Sequence, residues 1–103
     1  MEVPLLAIWD VKEICEKERG ILVDLRSWKQ YAEEHIPGAI CIPYDMFVEC
    51  PIFYDTDTRL ILYCDRGNNS LLLGKILIEN GFYVYAIVGG FLAYLANQRR
   101  LEK

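Results

Sequence analysis

The chain has 103 residues, 53% of them hydrophobic and 25% charged, and its formal net charge is −4. That length predicts a single domain over residues 1–103, with an apolar core large enough to fold without disulfides or a structural metal. The acidic balance argues against nucleic-acid binding; with no basic leader and no long apolar span, we expect a cytoplasmic protein that does not enter a membrane.

The first half of the chain predicts short strands that alternate with helices. The spacing of Val11, Ile14 and Cys15 predicts a helix that stops at Arg19. A capping box of Ser27 and Gln30 predicts the start of a second helix. The other elements predicted here are strands over 5–7, 21–24 and 39–42 and a short helix within 43–51.

The second half continues the alternation and contains the most apolar strand. The predicted elements are a turn over 54–57, a strand over 60–63, a polar loop over 64–69, a helix from about Ser70 to Glu79, a strand over 82–88 and a helix over 91–98. The apolar stripe of the helix that follows the loop is predicted to be Leu72, Leu73, Ile76 and Leu77. The alternation predicts an α/β fold: a small, mainly parallel central sheet with helices on both faces.

Ligands of such folds bind beyond the carboxyl ends of the strands, where this chain has a candidate nucleophile. Cys64 lies between the strongest strand and a helix. Gly67 allows the loop to turn its N–H groups inward, and the helix dipole adds a positive field, so a thiolate or persulfide anion should be stabilised there. Asn68 and Asn69 tolerate the left-handed backbone that a tight loop needs.

The alternative for Cys64 is a buried cysteine that only fills space. Cys15, Cys41 and Cys50 have no comparable loop after them, and no two cysteines form a C-x-x-C pair, which argues against a zinc site. The glycine, the asparagines and Ser70 at the next helix start favour an anion-binding loop around Cys64.

Four segments in order resemble the rhodanese family. They are Asp24-Leu25-Arg26, the run 35–40, the motif Tyr63-Cys64-x-x-Gly67-Asn68-x-Ser70, and the run Val88-Gly89-Gly90-Phe91. The resemblance extends along nearly the whole chain. It implies a rhodanese-like fold and a sulfurtransferase that moves a sulfane sulfur from thiosulfate or a persulfide to a thiol or cyanide, with no cofactor and no metal.

The resemblance also assigns roles to individual residues. Cys64 would carry the sulfur as a persulfide. The substrate-binding residues around it would be Asp65, Arg66, Gly67, Asn68, Asn69 and Ser70. Asp24 and Arg26 would form a supporting polar network, and His35, the only histidine, would belong to a structural turn rather than to a Cys–His dyad.

The loop departs from the family pattern at two positions. Many members have Arg directly after the cysteine and near the loop's end, where this chain has Asp65 and Asn69. Thiosulfate is a dianion, so this loop favours a less charged donor, such as a low-molecular-weight or protein persulfide.

Two other functions are compatible with the same fold. A dual-specificity phosphatase needs an Arg where this chain has Ser70, so its phosphate clamp is missing. A persulfide carrier without turnover, or a redox or protein-binding module, would keep the fold and Cys64.

Overall fold

The computed structural model describes residues 2–50 and 55–102, which form a five-stranded sheet flanked by helices. The strands are β1 Leu5–Leu6, β2 Ile21–Asp24, β3 Ile40–Cys41, β4 Arg59–Tyr63 and β5 Tyr83–Ile87. The helices are α1 Val11–Glu18, α2 Trp28–Glu33, α3 Tyr44–Glu49, α4 Asn68–Glu79 and α5 Gly90–Leu101, and a 3₁₀ turn, Ile8–Asp10, precedes α1.

The strand order is β1-β5-β4-β2-β3, and every pairing is parallel. β4 therefore lies in the middle of the sheet, and its last residue, Tyr63, pairs with Asp24 at the end of β2. Because all strands run the same way, their carboxyl ends share one edge. Cys64 and the segment after Asp24 meet at that edge.

Alternate residues of the strands pack into two separate apolar clusters, as expected for a sheet buried on both sides. On one face Leu60 and Leu62 of β4 pack with Phe47 of α3 and with α4. On the other face Ile61 and Tyr63 pack with residues of α1 and α5. The predicted class, a parallel sheet with helices on both faces, is confirmed.

Helix α4 begins at Asn68, two residues before the predicted start. Gly67 precedes it with φ at +109°, and it alone takes the left-handed conformation that the prediction also allowed to the asparagines. Asn68 and Asn69 instead form the first turn of the helix. The prediction that the asparagines belong to the loop was wrong.

The buried side of α4 also differs from the predicted stripe. The residues buried there are Ser70, Leu73, Gly74 and Leu77, whereas Leu72 and Ile76 are exposed. Leucine and isoleucine occupy six of the eight positions from 71 to 78, so the apolar pattern alone did not indicate one direction. Gly74 packs closely on Val3, where a Cβ atom would lie 2.9 Å from the valine side chain.

The ends of the other elements lie close to their predicted positions. The capping box at the start of α2 is present, with the Gln30 backbone N–H donating to Ser27 Oγ over 3.2 Å. Helix α1 ends at Glu18 and is capped by Arg19, whose φ is +54°, and α5 continues past Gln98 to Leu101. Tyr54 of the predicted turn and Pro51 lie outside the described residues. No helix in the described ranges is both long and apolar enough to cross a bilayer.

Candidate active site

Cys64 is the first residue after β4 and lies almost buried under its own loop. Its Sγ accepts a hydrogen bond from the Gly67 amide over 3.1 Å and lies 3.8 Å from Ser70 Oγ. Gly67 itself has the left-handed φ of +109° with which the loop turns into the helix that follows. The loop therefore gives Cys64 the inward-pointing donor predicted from the sequence.

The amino end of α4 faces the same sulfur. The first N–H groups of a helix have no intrahelical acceptor, and the dipole makes this end positive. Because α4 begins at Asn68, directly after the Gly67 amide that contacts Cys64, the helix end adds to the field at the sulfur. The positive field of the helix end is therefore directed at Cys64 Sγ.

An open cavity of about 760 Å³ lies above Cys64. Of the predicted substrate-binding residues, Asp65, Arg66, Asn68 and Asn69 line it together with Cys64. The other lining residues are Leu25, Arg26, Ser27, Gln30, Pro43, Tyr44, Asp45 and Leu92.

The structure does not bring Gly67 and Ser70 into this lining. Ser70 is fully buried, and its hydroxyl donates to the Gly67 carbonyl over 2.9 Å. This hydrogen bond holds the loop. Because the Ser70 hydroxyl is buried and does not line the cavity, it cannot donate two parallel hydrogen bonds to a substrate there. The position of a phosphatase's clamping arginine is therefore occupied by a buried hydroxyl.

A second carboxylate and an amide beside the cavity were missed by the sequence analysis. Asp45, in the first turn of α3, lines the cavity together with Asp65. The Gln30 side-chain amide lies 3.3 and 3.4 Å from the two carboxylate oxygens of Asp65. The capping box revealed Gln30 as a helix-start residue, but no local signal relates it to a loop 35 residues away.

Asp24 and Arg26 form a buried ion pair behind the loop. Arg26 donates from its backbone N, 2.8 Å, and from Nη2, 2.8 Å, to the two carboxylate oxygens of Asp24. The Tyr63 hydroxyl donates to Asp24 over 2.6 Å and accepts from the Ile36 amide over 3.1 Å. Burial and the hydrogen bond to Asp24 raise the pKa of Tyr63, so its phenol keeps the proton that it donates.

The same arginine connects this network to the last helix. Its Nη2 donates to the Glu34 carbonyl over 2.6 Å, and its guanidinium lies 3.8 Å from the centre of the Phe91 ring. Arg26 thus joins the end of β2 to the segment after α2 and to α5. Tyr63, the residue directly before Cys64, belongs to the same network, so these contacts fix the strand end from which the loop leaves.

Removing the Tyr63 hydroxyl should lower the stability of the protein without leaving a large cavity in the core, because the ring remains. In Tyr63→Phe, a buried Asp24 oxygen loses a donor and the Ile36 amide loses its acceptor, which should cost about 1–3 kcal/mol of unfolding free energy. Urea denaturation measures it, with Tyr83→Phe, at an exposed tyrosine, as a control expected to change stability by less than about 0.5 kcal/mol. Equal stabilities of the two variants would contradict the network's role.

Gly90 belongs to the run Val88-Gly89-Gly90-Phe91, and its contacts show why a glycine is needed at this position. The amide of Phe91 donates to the Cys64 carbonyl over 2.8 Å, and that of Leu92 donates to the Asp65 carbonyl over 3.2 Å. Gly90 has φ at +58°, and a Cβ atom on it would lie 2.3 Å from the Cys64 carbonyl oxygen. The start of α5 therefore holds the backbone of the loop at its first two residues.

The side chain of His35 contacts Tyr31 and not Cys64. Its ring stacks on Tyr31 with 3.8 Å between ring centres, and Nδ1 lies 2.8 Å from the Tyr31 carbonyl oxygen. It does not line the cavity above Cys64. This placement agrees with a structural role for the histidine and leaves Cys64 without a histidine base.

Comparison with known proteins shows the family of this chain. The profile of the rhodanese-like domain matches residues 9–97. A tRNA sulfurtransferase of Desulfurococcus amylolyticus is 37% identical over 84 residues, which are 82% of this chain but only 16% of that protein. The thiosulfate sulfurtransferase GlpE of Coxiella burnetii is 30% identical over 86 residues, covering 82% of this chain and 80% of that protein.

A solved structure gives the same fold. The rhodanese-related protein of Thermoplasma volcanium superposes with a TM-score of 0.82 at 19% sequence identity, covering 91% of this chain and 92% of that one. The range 9–97 matched by the family profile includes the loop from Cys64, the segment from Asp24 to Arg26, and Gly89 and Gly90. The chain belongs to the rhodanese-like domain family.

Proposed function

We propose that the protein is a rhodanese-type sulfurtransferase that carries a sulfane sulfur on Cys64. One observation carries the proposal: Cys64 Sγ lies at an open cavity and accepts the Gly67 N–H at the amino end of α4. This is the setting in which a cysteine sulfur reacts as an anion. The names of the two relatives, a tRNA sulfurtransferase and a thiosulfate sulfurtransferase, support sulfur transfer.

The reaction consists of two displacements at sulfur. In the first, the Cys64 thiolate attacks the outer sulfur of the donor, a bond forms between the two sulfurs, and the donor's own S–S bond breaks. Sulfite leaves if the donor is thiosulfate, and a thiolate leaves if it is a persulfide. In the second, cyanide or an acceptor thiolate attacks the outer sulfur, and the Cys64 thiolate leaves with the electron pair. No external oxidant or reductant is needed.

The surrounding residues divide between contact and positioning. Asp65, Arg66, Asn68 and Asn69 would face the donor, since they line the cavity with Cys64. Gly67 would stabilise the sulfur anion through its amide and Ser70 would hold the loop. Asp24 and Arg26 would act as positioning residues through Tyr63 and α5. We further propose that the protein acts in the cytoplasm, a reducing compartment that suits four cysteines held as free thiols.

A second function, a persulfide carrier without turnover, is favoured by one comparison. The match to the tRNA sulfurtransferase covers only 16% of that protein, so the matched segment is one part of a much longer chain there. A carrier of this kind would load sulfur on Cys64 and release it only to a partner protein or module.

Turnover separates the two functions. The wild type is incubated with an excess of thiosulfate or a persulfide together with an excess of cyanide or thiol, and thiocyanate or the acceptor's persulfide is measured together with the protein's mass. We expect many product molecules per protein chain and a Cys64 that cycles between loaded and unloaded forms. Loading without release to small acceptors would establish the carrier instead, and failure of every donor to load the protein would contradict both.

A further inference from the structure

The cavity above Cys64 is far larger than an inorganic donor requires. Its volume of about 760 Å³ lies within the range of sites that hold small organic molecules, about 300–1,000 Å³. Thiosulfate has only five heavy atoms and would leave most of this space to water. The size of the cavity therefore favours a donor in which the sulfane sulfur is attached to an organic group.

The charged groups around the cavity are of both signs. Asp45 and Asp65 are exposed acids from two different segments, and the Gln30 amide lies against the carboxylate of Asp65. Arg66 is an exposed base on the same cavity, whereas Arg26 is occupied by its ion pair with Asp24. A ligand that matches these side chains carries a cationic group and an anionic group.

The remaining wall is apolar and suits a short carbon skeleton. Leu25, Tyr44 and Leu92 line the cavity together with Pro43. The side chain of Leu92 is 49% exposed and so can contact a ligand. Its backbone N–H donates to the Asp65 carbonyl, which fixes Leu92 beside the loop. Methylene groups between a sulfur at Cys64 and charged groups at the rim would pack on this wall.

We propose that the donor is the persulfide of an amino-acid thiol, a zwitterion whose ammonium group is recognised by Asp45 and Asp65 and whose carboxylate is recognised by Arg66. The inference rests on the proposed function and names its substrate class. The acids would repel thiosulfate, a dianion, and attract the ammonium group, so the same two residues select for one donor and against the other.

The transfer balances with this donor. The Cys64 thiolate attacks the terminal sulfur of the hydropersulfide, forming the Cys64 S–S bond and breaking the donor's S–S bond. The amino-acid thiolate leaves with the electron pair of the broken bond, and the hydrogen on the terminal sulfur travels with that sulfur. One thiolate is consumed and one is released.

Four donors test the two charges separately. The persulfide of cysteine carries both groups, that of cysteamine carries only the ammonium, that of 3-mercaptopropionate carries only the carboxylate, and thiosulfate carries neither. The rate at which Cys64 gains one sulfur atom, followed by intact mass in a single turnover, is measured for each donor below saturation. We expect the cysteine persulfide to load fastest.

The variants Asp45→Asn, Asp65→Asn and Arg66→Gln each remove one charge at an exposed position and should leave the fold intact. Each Asp variant should slow the two ammonium-bearing donors by about fivefold and speed thiosulfate, and Arg66→Gln should slow the two carboxylate-bearing donors by about fivefold. These factors should shrink at high salt. Asp57→Asn is the matched control, because Asp57 is an exposed acid before β4, at the opposite end of that strand from Cys64.

The proposal is supported only if the Asp variants and the Arg66 variant each affect the donors that carry the opposite charge to the side chain removed. The proposal is overturned if the three variants change all donors by one common factor, or if Asp57→Asn produces the same changes. Loading that the Cys64→Ser variant loses would in that event still uphold sulfur carriage on Cys64. Failure of all four donors to load the wild type would remove the proposed function together with the proposed donor.

Discussion

The Cys64→Ser variant should gain no removable sulfur under conditions in which the wild type gains one atom per chain. Serine is nearly isosteric with cysteine, so the loop and the Gly67 amide can keep their positions around the new hydroxyl. A hydroxyl is not ionised at neutral pH and forms no persulfide, so the loss should be complete rather than partial. Intact mass before and after a reductant measures it.

The other cysteines provide matched controls, and each should leave loading unchanged when replaced by serine. Burial raises the pKa of Cys15, with Glu16 adding to the effect, and burial also raises the pKa of Cys41. Both therefore favour the unreactive thiol. Cys50 is exposed at the end of α3, and the sequence 51–55 that follows it contains no glycine like the one after Cys64. A removable sulfur on the Cys64→Ser variant would show that another cysteine carries it.

The Gly90→Ala variant should lose sulfur loading by on the order of 100-fold while keeping the fold. The new Cβ would lie 2.3 Å from the Cys64 carbonyl oxygen and 2.8 Å from that of Asp65. The loop has to move by roughly 1 Å to restore an ordinary contact. A displacement of that size at a reacting group can reduce the rate on the order of 100-fold. The hydrogen bond from the Phe91 amide would be strained by the same movement.

Gly38→Ala separates this effect from backbone strain. Gly38 also has a positive φ, +90°, but a Cβ there would meet nothing within 4 Å. Both variants should lose about 1 kcal/mol of stability from the left-handed alanine. Gly90→Ala should lose more than that, because its Cβ also meets backbone atoms, and it alone should lose loading. Circular dichroism and urea denaturation check the fold, and single-turnover loading checks the site. Equal loading rates in the two variants would show that α5 does not position the loop.

The sequence predicted the fold well because its strongest patterns are local. The apolar run of β4, the capping box at Ser27 and the stop at Arg19 each depend on residues close together in the chain. The position of Cys64 followed from them, since a polar loop after a buried parallel strand lies at the ligand-binding edge. The order of the strands in the sheet could not be read from these local signals.

The parts of the site that were missed depend on contacts between distant segments. Asp45 and Gln30 come to the cavity only because α3 and the start of α2 meet at the carboxyl edge of the sheet. Gly90 needs its lack of a side chain because of a carbonyl 26 positions earlier, at Cys64. The start of α4 was placed too late because asparagine suits both a left-handed loop and a first helical turn.

Mapping the added sulfur to one peptide tests the central claim most directly. Cleavage after lysine and arginine releases Cys64 as the only cysteine of the peptide 60–66, while Cys15 is in 13–17 and Cys41 and Cys50 are in 30–59. After loading with a persulfide donor, the peptide 60–66 should carry one extra sulfur atom that cyanide removes, and the other two should carry none. An extra sulfur found on 13–17 or 30–59 instead, or one on 60–66 that cyanide leaves in place, would contradict sulfur transfer through Cys64.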